Sequence, residues 1–223
     1  AGPSLRGLIE EGGPAGLGPA KAAFFLRELA KGLGYLHERG IVHRDLKPEN
    51  VFFEDGYVKI GDYGLSKFIS MSRQSAQTIS VGTVHYMAPE IGSGRYSRGI
   101  DIYAMGIILF EMVTGRVPFT GDSFGEILMK HLTVEPDLTG VPAPFEAVIR
   151  KALRKNPDER YAKIEEMVDD LLGAPEVAAL VQGVPADTAW AVTEASLRQA
   201  ERDARAGDPK GAAAIYEAWV GGG

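Results

Sequence analysis

His43-Arg44-Asp45-Leu46-Lys47-Pro48-Glu49-Asn50, followed a short way on by Asp62-Tyr63-Gly64, is the stretch on which the reading of this chain turns. It crowds carboxylates, an ammonium and an amide into a few turns of polypeptide. A carboxylate such as Asp45 is charged at neutral pH and accepts a hydrogen bond from a neutral hydroxyl. An ammonium such as Lys47 offsets anionic charge, while an amide oxygen and a carboxylate, Asn50 with Asp62, suit a hard divalent cation. Upstream, Ala22, Leu26, Leu29, Leu33 and Leu36 recur at four-three spacing between Ala20 and Arg39, with Pro19 suited to a first turn and Gly40 just past the end. This predicts an amphipathic helix that delivers the chain through a short buried strand, Ile41-Val42, into the polar stretch. Downstream, Val51-Phe52-Phe53 and Tyr57-Val58-Lys59-Ile60 flank Glu54-Asp55-Gly56. Asp-Gly accepts positive φ, so a tight hairpin is predicted, with Asn50 at one end and Asp62 at the other, both within reach of one ion.

Three further motifs follow in order: Gly82-Thr83-Val84-His85-Tyr86-Met87-Ala88-Pro89-Glu90, then Asp101-Ile102-Tyr103-Ala104-Met105-Gly106, then Asn156-Pro157-Asp158-Glu159-Arg160. Together with the catalytic-loop and metal-loop motifs of the first stretch, they resemble the large, C-terminal lobe of eukaryotic-type serine/threonine protein kinases, from Ser4 to Gly173. The resemblance implies an α+β protein kinase-like fold, of which this chain is the mostly α-helical C-lobe with a short β-hairpin. The family's Gly-rich loop and strand lysine lie upstream of the catalytic loop. Gly12-Gly13-Pro14-Ala15-Gly16-Leu17-Gly18 is glycine-rich, but no strand pattern precedes it and prolines interrupt it, so it reads as a loop and not a phosphate cradle. Ser4 to Glu10 looks like the segment just after the kinase hinge, and the missing small N-terminal lobe is expected in the parent protein.

The resemblance also assigns roles. It implies ATP- and Mg2+-dependent phosphorylation of serine or threonine in protein substrates, with Asp45 orienting the acceptor hydroxyl and taking its proton. Lys47 resembles the lysine that contacts the γ-phosphate, and Thr83 the threonine that bridges Asp45 and Lys47. Asn50 and Asp62 are the implied Mg2+ ligands, and Tyr63 stands where phenylalanine is usual. Arg44, joined by Lys67, matches a receiver for an activation-segment phosphate, with Thr78, Ser80 and Ser75 as candidate acceptors that nothing in the sequence separates. Glu90 and Arg160 resemble the family's buried ion pair, Asp101 the aspartate that holds the catalytic-loop backbone, and His43 a histidine packed beneath that loop. His37, His85 and His131 share no metal-ligand spacing and read as ordinary packing or surface residues. A kinase-derived scaffold without catalysis is the alternative, although a scaffold has no physical need for the polar cluster.

The chain has 223 residues, 45% of them hydrophobic, enough for one good core with a small tail. A net charge of -6 and a pI near 5.3 argue against a nucleic-acid partner. The absence of cysteine excludes a disulfide framework and fits a reducing cytoplasm. Ala1-Gly2-Pro3-Ser4 lacks the regions of a signal peptide, and the longest apolar run, Ile102 to Phe110, is too short to cross a bilayer. Asp101 to Val113, apolar nearly all round, predicts a buried central helix. Further helices are expected over Ser123–Leu132, Phe145–Leu153 and Lys163–Leu172, with a proline-rich loop from Pro136 to Pro144. Residues 174–223 form an alanine-rich tail, read as helices over Trp190–Arg205 and Pro209–Val220: either the start of a helical repeat or a simple helical extension or linker.

Overall fold

The computed structural model of the chain describes residues 4–54, 57–61 and 81–181, and in it one helix, α4 (Gly99–Thr114), is enclosed by the others. Every residue from Gly99 to Met112 is buried, as a helix apolar on all sides requires. α2 (Pro19–Glu38) packs against α4, α7 (Ile164–Leu172) and α8 (Pro175–Val181), while α6 (Ala143–Ala152) packs on α4 and α7. The last of these crossings is close, because a Cβ at Gly106 of α4 would lie 2.8 Å from the Ala152 methyl. All five apolar positions expected of α2 are buried, and Pro19 sits in its first turn. The hairpin forms with β1 (Val51–Glu54) antiparallel to β2 (Tyr57–Ile60), in the register Val51↔Ile60 to Glu54↔Tyr57.

Two parts differ from the sequence reading or add to it. Ile41 and Val42 are not a strand. Gly40 adopts a left-handed φ of 73° and donates to His37 O, and Ile41 N donates back to Leu36 O at 2.9 Å. This double closure of the C-terminus of α2 uses the very amide a strand would need. The second is a helix at the start of the chain, α1 (Leu5–Gly12), capped by Ser4, whose hydroxyl accepts from Gly7 N at 3.2 Å. Leu5 and Ile9 bury its inner face, a spacing legible in hindsight. The glycine-rich segment after α1 is a 3-10 turn, Gly13–Ala15, that runs on as a loop to α2, and its composition has a packing cause. Leu17 N donates to Met112 O at 2.7 Å, and Gly16, at φ 61°, lies so close that a Cβ there would sit 2.5 Å from Met112 O. Beyond Gly173 the chain turns into α8, whose Val177 and Val181 are buried, so the first turns of the alanine-rich tail are packed against the core. The rest of the tail lies outside the described residues.

Glu90, in the turn Pro89–Ser93, and Arg160, after the turn Pro157–Glu159, meet in the interior. Arg160 donates to both Glu90 oxygens, at 2.7 and 2.9 Å. Its other donors go to the carbonyls of Gly99, Arg154 and Lys155, so all of its N–H groups are used. Such saturation is what makes a buried ion pair tolerable. The guanidinium lies 4.8 Å from the Tyr103 ring, and the Tyr103 hydroxyl is 2.8 Å from His131 Nδ1 in α5 (Phe124–Thr133). His131 is fully buried against Phe119, and the Lys155 ammonium lies over the same ring. Burial pushes the His131 imidazole down to about 3, helped by the Lys155 and His85 charges.

Two outcomes are expected. Glu90→Ala, which strands a buried guanidinium, should cost about 3–5 kcal/mol in denaturant unfolding. Because His131 is neutral when folded and titrates at an ordinary value near 6.5 when unfolded, its contribution to stability is complete above that pH and is lost as pH falls toward about 3. Denaturant midpoints at pH 7 and pH 5 should show this slope, of order 1 kcal/mol per pH unit, and His131→Phe should remove it.

Candidate active site

The segment from His43 to Asn50 runs between the end of α2 and the start of β1, and a single carboxylate beneath it dictates its path. Asp101, in the first turn of α4, is 1% exposed, accepts from His43 N at 2.8 Å and from Arg44 N at 2.9 Å, and has His37 Nε2 at 2.8 Å. Arg44 stands at φ 70°, a left-handed conformation that costs a residue with a Cβ about 1–2 kcal/mol. The two amide bonds to Asp101 hold it there. His37 is therefore part of this support, more than the packing residue its sequence context suggests.

His43, fully buried, joins the loop to the hairpin. Its Nδ1 accepts from Asp45 N at 3.3 Å, which leaves Nε2 to donate to Gly61 O at 2.9 Å. Gly61 N in turn donates to Asn50 O. The chain end that leads into Asp62 is thus tied to the loop from two directions. Asp62, Tyr63, Gly64, Lys67, Ser75, Thr78 and Ser80 lie outside the described residues.

The polar groups of the loop converge. Lys47 Nζ is 3.3 Å from Asp45 Oδ2 and donates to Thr83 Oγ1 at 3.1 Å. Asn50, only 6% exposed, donates Nδ2 to Asp45 O at 2.8 Å, which turns its amide oxygen away from Asp45. Asp45, Lys47, Asn50 and Thr83, named from the sequence as one set, come together here. Thr83 arrives on α3 (Val81–Val84), the turn that precedes the Glu90 segment. Arg44 lies 5.2 Å from the Tyr96 ring, in the loop between Glu90 and α4. Among the described residues no group of three or more His, Cys, Asp or Glu side chains is placed to hold a metal by itself. Asn50 alone of the two residues expected to ligate a metal is among the described residues, and its amide oxygen is a donor of the kind a hard cation takes.

Sequence reasoning missed a second polar cluster beside this one. Arg6 of α1 reaches Glu49, Tyr86 and Glu111, from three separate parts of the fold. The one signal for it was a charged residue, Glu111, closing an apolar helical run.

Comparison with known proteins gives these features a family. A sequence profile for the protein kinase domain matches residues 2–172. The chain is 36% identical over 177 residues to serine/threonine-protein kinase PrkC of Bacillus subtilis, covering 76% of this chain and 27% of that protein. It is 40% identical over 165 residues to serine/threonine-protein kinase PkaA of Streptomyces coelicolor, covering 71% and 30%. To serine/threonine-protein kinase PknL of Mycobacterium tuberculosis it is 35% identical over 186 residues, covering 80% and 46%. The chain thus spans between about a quarter and a half of the length of these relatives. With the profile matched over most of its length, and with relatives that are serine/threonine-protein kinases, the chain belongs to the protein kinase domain family.

Proposed function

We propose that the protein to which this chain belongs transfers the γ-phosphoryl group of ATP to serine or threonine hydroxyls of protein substrates, and that residues 1–173 are the large C-terminal lobe of its catalytic domain. The observation that carries this reading is the Asp45–Lys47–Thr83 constellation, with Lys47 within 3.3 Å of the carboxylate and 3.1 Å of the hydroxyl. Asp45 accepts the hydrogen bond of the incoming hydroxyl, orients its oxygen toward the γ-phosphorus and takes the proton as the new O–P bond forms and the bond from the γ-phosphorus to the β-phosphate oxygen breaks, releasing ADP. Lys47, held by Thr83 and Asp45, faces the negative charge of the transferring group. A serine or threonine acceptor is supported by Lys47 and Thr83 together, and by the names of the relatives.

Asn50 and Asp62 would hold Mg2+, which when bound would offset the negative charge that develops on the phosphoryl group. Asn50 suits that task because its amide nitrogen is committed to Asp45 O. The small N-terminal lobe of the parent would supply most adenine and phosphate contacts. Arg44 and Lys67 would receive a phosphate added at Ser75, Thr78 or Ser80. No helix among the described residues is long and apolar enough to cross a membrane. A cytoplasmic location for this part of the protein is the reading that a need for ATP supports.

In the full-length protein, Asp45→Asn should lower turnover by about 10²–10⁴-fold while the melting temperature stays near wild type, because the amide cannot take the proton. Unchanged turnover would overturn the assignment. Asp101→Asn should instead reduce both turnover and stability, because one carbonyl oxygen cannot satisfy His43 N, Arg44 N and His37, and each buried donor left without an acceptor costs about 1–3 kcal/mol. Steady-state phosphorylation of a serine peptide, with unfolding followed in parallel, separates the two effects.

A further inference from the structure

Glu111 is a carboxylate within the most deeply buried helix of the molecule, and it is 4% exposed. A charge so placed is tolerated only if it is paired and hydrogen-bonded. Its partners come from far along the chain. Arg6 donates Nη1 to Glu111 Oε1 at 2.7 Å and Nη2 to Oε2 at 3.3 Å, a forked contact. The Tyr86 hydroxyl donates to Glu111 Oε2 at 2.6 Å and accepts from Arg6 Nη2. Burial and the Glu111 charge push the Tyr86 phenol far above its ordinary range, so it remains a donor. The third Arg6 nitrogen, Nε, donates to Glu49 Oε1 at 2.9 Å.

What the two far ends of this network touch gives it meaning. Tyr86 N donates to Thr83 O at 3.2 Å, and the Thr83 hydroxyl is the one that holds Lys47. Glu49 shares a 3-10 turn with Asn50, which donates to Asp45 O. A single guanidinium therefore grips both walls of the Asp45–Lys47 site: the segment of Thr83 and Tyr86 on one side and the turn of Glu49 and Asn50 on the other. The Glu49 contact is exposed at 42% on the carboxylate side and adds little stability, but it fixes the rotation of the guanidinium. An exposed pair of low energetic value joined to a buried fork is an arrangement that sets geometry.

Resting on the reading of the site as one for phosphoryl transfer, we propose that Arg6 is a positioning residue: through Tyr86 and Glu111 it holds the Thr83–Tyr86 segment against the catalytic loop, and so sets where an acceptor peptide lies relative to Asp45. An acceptor hydroxyl that reaches Asp45 must bring its polypeptide across the surface between these two walls. Loosening one wall displaces the peptide, while the nucleotide keeps the adenine and phosphate contacts that the small lobe of the parent would supply.

The test uses the full-length protein, with a serine-containing peptide and ATP varied separately and thermal melting recorded for each variant. Arg6→Met should raise the KM for peptide by about tenfold or more, the equivalent of one charge-assisted hydrogen bond, with the KM for ATP within about twofold of wild type. Tyr86→Phe, which removes only the hydroxyl, should shift the peptide KM in the same direction. Arg6→Lys restores a cation for Glu111 but not the planar fork, and should recover the melting temperature without recovering the peptide KM. The double variant Arg6→Met with Glu111→Met removes both charges together and keeps the volume, so it should fold even if Arg6→Met alone does not, and its peptide KM should still be raised. An active wild type whose Arg6→Met and double variants keep the wild-type peptide KM, or whose two KM values rise in parallel, would overturn the role of Arg6 alone. A full-length wild type that transfers no phosphate would overturn the reading of the site itself.

Discussion

The carboxylate of Asp101 is the constraint on which the working part of this molecule depends. It stands in the first turn of the most deeply buried helix and spends its oxygens on two consecutive amides of the His43–Asn50 loop and one imidazole. Neither amide has a secondary-structure partner, since the chain there belongs to no helix or strand, and a buried amide without an acceptor is expensive. Arg44 takes a left-handed conformation that it would not choose alone. Asp101 offsets that strain, and the loop it shapes brings Asp45, Lys47 and Asn50 into one cluster. A loop held by a core helix has the rigidity of the core without being a regular element.

The same division of labour recurs around the site. Glu90 and Arg160 tie the segment after Thr83 to the C-terminal helices with a fully satisfied ion pair, and His43 ties the loop to the end of β2. Arg6 joins α1 to both. Glu90, Arg160, His43 and the Glu111 partner of Arg6 are charged or polar groups buried among apolar ones, where the low dielectric strengthens the bond and also makes a missing partner costly. Such groups resist loosening, which suits a surface that must present Lys47 and Asp45 at a fixed separation. The apolar core serves the fold; these few polar links serve the geometry of the site.

Much of the architecture was legible because helices and hairpins are local. The four-three spacing of α2, the apolar run of α4 and the Asp-Gly between two strand-like runs all act within a few residues of chain, and each element formed where its pattern lay. The failure at Ile41-Val42 has an equally local cause. Two apolar residues after a helix look like a strand, but the glycine before them closes the helix and takes the amide of Ile41 for that purpose. The motif residues of the site were legible by family resemblance, and Asp45, Lys47, Asn50 and Thr83 do meet. The Arg6 cluster was not, because α1 was read only as a segment after a hinge, and an arginine in such a place looks like any surface cation.

The sequence by itself determined the kinds of chemistry available and the elements that carry them: a carboxylate, a lysine and an amide in one loop, a helix before it and a hairpin after it. Only the tertiary structure decided which groups touch. Asp101 lies 58 residues from His43, Glu90 lies 70 from Arg160, and Arg6 lies 105 from Glu111, yet each pair is within hydrogen-bond distance. A hydrogen bond is lost when its partners shift by about 1 Å, and over such separations that precision comes from the packing of α2, α4, α6 and α7 around a common core. Periodicity reports which face of a helix is buried. It carries no information on which distant side chain will be waiting there.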